Sequence, residues 1–261
     1  MPTPALSLAI VEVVFYSLMV PPVLYVAWEH RRPQTMGWVF ILLFLILQIT
    51  GSAITLHAGT TGLSSTTGAI ITGIGLSPQL LGVLGVLHEC AHLSGFLKYK
   101  NDSKYLKVAL AIYHVGVVTA VPVYAVGQSG TSQSPPKENS ASLSKAGICL
   151  LLLLWLLLAV AAVWHSFWAL KSNGSNGSNN LHMLLYAILG STALIGVRVI
   201  YQTIATLSDT SSSNHGNATY IGGLQFLPSA LMVLVLMIGG VLSRLVHQNE
   251  RAGSAVPITS C

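Results

Sequence analysis

The sequence predicts an all-α bundle of seven transmembrane helices, with the N-terminus outside or lumenal and the C-terminus cytosolic. Three observations point to it. Only 7% of the 261 residues are charged and 52% are hydrophobic, whereas a soluble domain carries about 25% charged residues to cover its surface. Seven apolar runs each reach the roughly 20 residues that a bilayer crossing requires. Lysine and arginine are also split unequally between alternate loops, as topology in a membrane demands.

The runs follow in order at 6–27, 37–57, 68–90, 105–127, 146–170, 181–207 and 221–246. The first lacks a basic leader and a cleavage site, so it reads as a retained helix rather than a signal peptide. The third is rich in small residues, with Gly68, Gly73, Gly75, Gly82 and Gly85. Such a composition predicts close helix packing in place of lipid contact. The segment 128–145, QSGTSQSPPKENSASLSK, and the segment 172–180, SNGSNGSNN, read as polar linkers. No internal repeat is visible, and the whole of 1–261 reads as a single integral membrane domain.

Charge sets the orientation. With the N-terminus outside, the inner segments hold nine basic residues: Arg31, Arg32, Lys98, Lys100, Lys104, Lys107, Lys171, Arg244 and Arg251. The outer segments hold Lys137 and Lys145, and Arg198 lies within a helix. The pI of 9.2 then reflects topology and calls for no nucleic-acid partner. Asn217-Ala-Thr219 falls outside and is a candidate glycosylation site, whereas the sequons at Asn173 and Asn176 fall on the inner side. The chain is expected to be a multi-pass protein of the endoplasmic reticulum. Cys90, Cys149 and Cys261 are too scattered for a disulfide framework, and the C-terminal ITSC is a poor prenylation box.

Polar side chains within a bilayer are functional candidates. Glu12 lies in the outer third of the first helix, with Tyr16 one turn below on the same face. Arg198 lies in the outer third of the sixth, with Tyr201 one turn above. Gln48 lies near the middle of the second helix, His57 ends it, and Gln225 opens the seventh. Together they could line one cavity in the outer half, with Glu12 and Arg198 as a charge pair. The plainer alternative is a pair that only locks the bundle.

The stretch "GVLGVLHECAH" contains His88-Glu89-x-x-His92. Four-residue spacing puts both histidines on one helix face, the arrangement of a zinc hydrolase with the glutamate as base. The motif falls at the inner end of the third run. His165 and His182 are inner-side candidates for a third ligand. Two other readings compete: a polar helix end reaching into the interface, and Glu89 as a general acid without metal. His114, beside Tyr113, reads as a hydrogen-bonded packing residue. His165, between Trp164 and Trp168, reads as part of an aromatic anchor at the interface.

The pieces "AIVEVVFY" (9–16), "GWVFILLFLILQITGSAI" (37–54), "GIGLSPQLLGVLGVL" (73–87) and "VRVIYQTIA" (197–205) resemble a family of seven-helix membrane proteins of filamentous fungi. Ser77-Pro78 and the Arg198–Tyr201 pair are its most specific features here. The resemblance implies one bundle with a polar interior and no assigned activity. Against the family's pattern, Gln48 stands where an arginine is expected. His88-Glu89 stands where an arginine usually ends the third helix, and "LPSALMVLV" stands where the seventh would carry an acidic pair.

In size and architecture the chain is also similar to the membrane-bound terpene cyclases of fungal meroterpenoid pathways, the ascofuranone type among them. That likeness implies a lipid-soluble prenyl or epoxy-prenyl substrate, taken up among membrane lipid. A carboxylic acid would protonate it and aromatic faces would shield the resulting carbocation. No cofactor is implied. Glu12 is the first candidate acid and Glu89 the second. Tyr16, Tyr113, Tyr124 and Tyr201 are candidate wall or relay groups, and Gln48, His57, His114 and Gln225 candidate substrate contacts. If Arg198 pairs with Glu12, Glu12 acts as base, or Arg198 binds a substrate carbonyl or phenolate. The rivals are a receptor without catalysis, the zinc hydrolase, and a transporter. The transporter reading rests on Pro21-Pro22, Ser77-Pro78 and Pro122 as possible interruptions of helices.

Overall fold

The computed structural model describes residues 4–29, 36–61, 66–93, 102–131, 138–172, 179–207 and 222–254. Every regular element among them is helical: α1 (Pro4–Glu29), α2 (Met36–Thr61), α3 (Thr66–Ile74), α4 (Leu76–Leu93), α5 (Asp102–Thr131), α6 (Ser140–Ser172), α7 (Asn179–Leu207) and α8 (Leu227–Ser254). A π-helical turn, Gly222–Phe226, leads into α8. Seven spans are long and apolar enough to cross a membrane, α3 and α4 making up the third together. The sequon at Asn217 and the candidate ligand His182 fall where no side chain is described.

The third span is broken at Gly75, and the cause is local. Pro78 has no N–H to give to the carbonyl of Ile74, so the ladder cannot run on without a gap. Pro78 sits instead in the first turn of α4, where a missing donor is harmless. The turn keeps two stretched bonds, Gly75 N–H to Ile71 O and Gln79 N–H to Gly75 O, both at 3.3 Å. A Cβ at Gly75 would meet the Gln48 amide at 2.6 Å, so a larger residue there would have to displace that side chain. The other interruptions expected at proline do not occur. Pro21, Pro22 and Pro122 lie inside continuous helices, because a proline removes single bonds that a surrounding bundle tolerates.

The broken span is the centre of the bundle. About 67% of its apolar window is buried, against 17% for α1 and for α5. α2, α5, α6 and α7 all pack on α4, and α8 packs on both α7 and α1 to close the ring. The glycines explain the close approach of α2 and α4: a Cβ on Gly85 would run into the backbone of Gly37. One apolar core draws on all seven spans, with Tyr16, Phe44, Leu80, Val117, Leu158, Ile195 and Met232 among its members. The outer faces remain apolar, with Ile10, Leu18, Ile112, Val118, Leu157 and Val160 exposed, as a lipid solvent allows.

The linker predicted at 128–145 is shorter than expected. α5 continues to Thr131 and α6 begins at Ser140, preceded by Asn139 with φ 66°. Gln128 and Ser144 gain a bond across the two helices, Nε2 to Oγ at 3.0 Å, which draws both ends into helix.

Candidate functional site

Three elements bring polar groups to one depth. Glu12 lies about 12 Å past the Pro4 end of α1. The break at Gly75 and Arg198 each lie about 14 Å from that same end of the bundle. Their neighbours follow from helical spacing: Gln48 and Ser52 share a face of α2, and Gln225 and Ser229 share one across the π-turn.

Arg198 is the hub. It is 1% exposed, yet all its hydrogen bonds among the described residues go to neutral acceptors. Nη2 donates to the Thr72 carbonyl at 2.7 Å, and Nη1 donates to Gln79 Oε1 at 3.1 Å and to Ser229 Oγ at 2.8 Å. Gln48 Nε2 donates to the same Thr72 carbonyl at 3.1 Å. Main-chain carbonyls point toward a helix C-terminus. Thr72 is in the last turn of α3, so its carbonyl faces the break and takes two side-chain donors there.

The guanidinium also lies over the Phe44 ring, 5.9 Å from its centroid, within cation–π range. Phe44 meets Tyr16 edge to face at 5.7 Å, and Tyr16 meets Phe226 at 5.8 Å. Tyr16 also lies beside Ser229. A second strand of polar groups leads from Arg198 toward the Thr131 end of α5. Tyr124 is beside Thr206, and Gln128 Nε2 donates to Tyr124 Oη at 3.4 Å.

The expected charge pair is not a contact. Glu12 lies within electrostatic reach of Arg198, but its hydrogen bond comes from the Ser52 hydroxyl. Ser52 occupies the turn of α2 that faces Glu12, and the two Nη atoms of Arg198 are turned to Thr72, Gln79 and Ser229.

The remaining sequence candidates divide. Gln48 and Tyr16 belong to the hub. The side chain of Tyr201 is partly exposed and makes no hydrogen bond among the described residues; Gln202, at the next position, is the buried one. His57 is exposed, and only its carbonyl is engaged, by Thr60 and Thr61. Gln225 contributes its carbonyl to Ser229 at 2.8 Å. His114 bonds the Leu110 carbonyl through Nδ1 at 2.8 Å and packs on Phe40. Tyr113 is buried among the apolar core, away from the hub.

The His88-Glu89 stretch lies at the opposite end, Glu89 being about 21 Å along α4 from the break. Glu89 is buried and His88 partly so, while the side chain of His92 lies outside the described residues. Among the described residues, no three His, Cys, Asp or Glu side chains group closely enough to hold a metal ion. His165 is no interfacial anchor. It is buried against the Cys90 main chain, while Trp164 on the adjacent position is 69% exposed. One residue along a helix turns about 100°, which separates an inward ring from an outward one.

A family model described as a domain of unknown function, DUF7702, matches residues 4–246. The chain belongs to that family. The DUF7702 region spans every residue of the Arg198 hub. No curated protein and no solved structure matches the chain. Membership therefore brings a family and no activity, and function has to be argued from the site.

Ser52, Thr72, Gln79, Phe44, Phe226, Gln202 and Ser229 were not among the polar and aromatic candidates of the DUF7702 sequence. A signal for several was present. Glu12/Tyr16, Gln48/Ser52, Tyr124/Gln128, Arg198/Gln202 and Gln225/Ser229 are all polar pairs four apart in apolar helices. All five lie toward the same end of the bundle.

Proposed function

We propose that this protein is a membrane-bound terpene cyclase, an isomerising enzyme that acts on a lipid-soluble prenyl or epoxy-prenyl substrate. One observation carries the reading: Glu12, inside a span, is held by the Ser52 hydroxyl and not by Arg198. An arginine ion-paired to that carboxyl would oppose its use as a proton donor. With Arg198 engaged by neutral acceptors, Glu12 is left to donate.

The chemistry asked of the site is short. Glu12 gives its proton to the epoxide oxygen and the C–O bond opens to a tertiary cation. An internal alkene or hydroxyl closes the ring on that cation. Loss of a proton to the Glu12 carboxylate restores the acid, so substrate and product have equal mass. Tyr16, Phe44 and Phe226 offer π-faces near the charge, and the apolar wall excludes water. Glu89, at the far end of the bundle, is too distant to share this site.

The reading places the protein in the endoplasmic reticulum membrane, with the Pro4 end of the bundle toward the lumen. The test uses microsomes from a yeast host expressing the chain, given a prenylated phenol with a terminal epoxide. Liquid chromatography with mass spectrometry should show a new peak of unchanged mass that survives a chelator and disappears in Glu12→Gln. No such peak with any epoxy-prenyl phenol supplied would end the cyclase reading.

A second reading has its own observation. A span broken within the membrane, with a main-chain carbonyl at the break held by a buried arginine, is also the construction of substrate sites in transporters. Movement of the intact phenol across sealed vesicles, without a mass-neutral product, would favour it.

A further inference from the structure

We propose that Arg198 and Gln79, at the break between α3 and α4, bind the anionic head of the substrate, a phenolate or carboxylate borne on a lipid-soluble chain. The proposal rests on the cyclase reading for what happens next, and names the chemical class of the molecule that enters.

Two buried donors remain unspent. Arg198 is 1% exposed and Gln79 is fully buried. Arg198 Nε and Gln79 Nε2 have no hydrogen-bond partner among the described residues. Buried polar groups are as a rule hydrogen-bonded, and each one left unsatisfied destabilises the fold. The two residues meet at the break, where Nη1 of the guanidinium holds Oε1 of the amide. A carboxylate, or the single oxygen of a phenolate, supplies the acceptor that these donors lack.

The backbone supplies a further attraction. α4 begins at Leu76, so the positive end of its dipole opens at the same break. Gln79 stands in its first turn. Charge points the same way: the three acceptors of Arg198 are neutral, so dipoles and no anion meet its hydrogen-bond donors. With Glu12 carrying its proton as the acid, an incoming phenolate or carboxylate balances Arg198. The reactive chain then extends toward Tyr16, Phe226 and Glu12. A neutral head group would accept from the same donors but leave the charge of Arg198 without a counter-ion.

Binding can be read without turnover. The full chain, purified into phosphatidylcholine nanodiscs, is titrated with labelled benzoate and with labelled decanoate. Methyl benzoate and decanol are the uncharged controls. The expectation is saturable binding of at least one carboxylate, about tenfold or more tighter than its neutral control, as charge-assisted bonds are stronger than neutral ones. Benzoate alone would identify an aromatic head, decanoate alone a free fatty acid, and both the shared carboxylate chemistry.

Arg198→Lys keeps the charge and loses the fork; Gln79→Leu keeps the charge and loses the amide. Each should weaken carboxylate binding about tenfold, and thermal unfolding confirms which variants are folded. If Arg198→Lys does not fold, Gln79→Leu decides. Equal binding of charged and neutral probes, or wild-type binding in the folded variants, would overturn the proposal. Carboxylate binding without any cyclised product would remove the cyclase reading and leave the head-group site standing. Product formation with binding indifferent to both substitutions would do the reverse.

Discussion

Arg198 donates to the main-chain carbonyl of Thr72 at 2.7 Å, tying α7 to the last turn of α3 just before the chain breaks. The acceptor is backbone, so no substitution at position 72 removes it. The bond lies where the helix breaks at Gly75, in a medium that offers no water.

Arg198→Met should therefore destabilise the bundle more than Gln48→Leu. The first strips donors from Gln79 and Ser229 and one of two from Thr72. The second leaves the Thr72 carbonyl still bonded to Arg198. We expect a loss of about 1–3 kcal/mol for Arg198→Met and less than about 1 kcal/mol for Gln48→Leu. Reversible unfolding in mixed detergent micelles measures both, and a larger loss for Gln48→Leu would contradict the arrangement.

The central span should reject side chains where α2 crosses it. A Cβ at Gly85 meets the Gly37 backbone, whereas a Cβ at Gly190 approaches only Val235 Cγ1 at 3.8 Å. Gly85→Ala should cost about 1–3 kcal/mol by overpacking. Gly190→Ala should be neutral or stabilise by up to about 1 kcal/mol, since glycine is the poorer helix former. Thermal unfolding of the two variants in parallel gives the comparison.

Activity should separate Glu12 from the group that positions it. Glu12→Gln removes the proton donor and should lower product formation at least about 100-fold. Ser52→Ala leaves the carboxyl present but unheld, and a smaller fall of about tenfold is expected. Initial rates on the epoxy-prenyl phenol distinguish them; equal rates in Glu12→Gln and wild type would show that another group is the acid.

Lipid should reach some tryptophans and not others. Trp28 and Trp164 are 85% and 69% exposed, while Trp38 is 1% exposed and packed in the core. In single-tryptophan variants reconstituted with brominated lipid, emission from Trp164 should be strongly quenched and emission from Trp38 scarcely changed. Quenching of Trp38 to the same extent would mean that the bundle is packed differently.

How much of this was legible without coordinates depends on range. A span must satisfy its own backbone and match the bilayer, so composition within some 20 residues is enough to reveal it. The seven spans and the candidacy of Glu12, Tyr16, Gln48 and Arg198 could be read that way. The register of Gln48 with Ser52, and of Arg198 with Gln202, was legible in principle as a four-residue spacing. The break was half legible: Pro78 marked it, but Pro21, Pro22 and Pro122 gave the same mark inside helices that continue.

The partners were not legible. Whether Arg198 meets Glu12 or the Thr72 carbonyl depends on the rotation and depth of α7 against α3, α4 and α8. Contacts such as Gly37 on Gly85 and the ring of Trp155 against Gly196 set those positions. Likewise, one residue of helical rotation turned His165 inward and left Trp164 facing out. Local composition, acting through the hydrophobic effect and backbone hydrogen bonding, determined that this chain forms seven apolar helices. Only tertiary packing decided which polar atoms meet, because a hydrogen bond is fixed to within a few tenths of an ångström, and no pattern along one helix specifies its placement against the next.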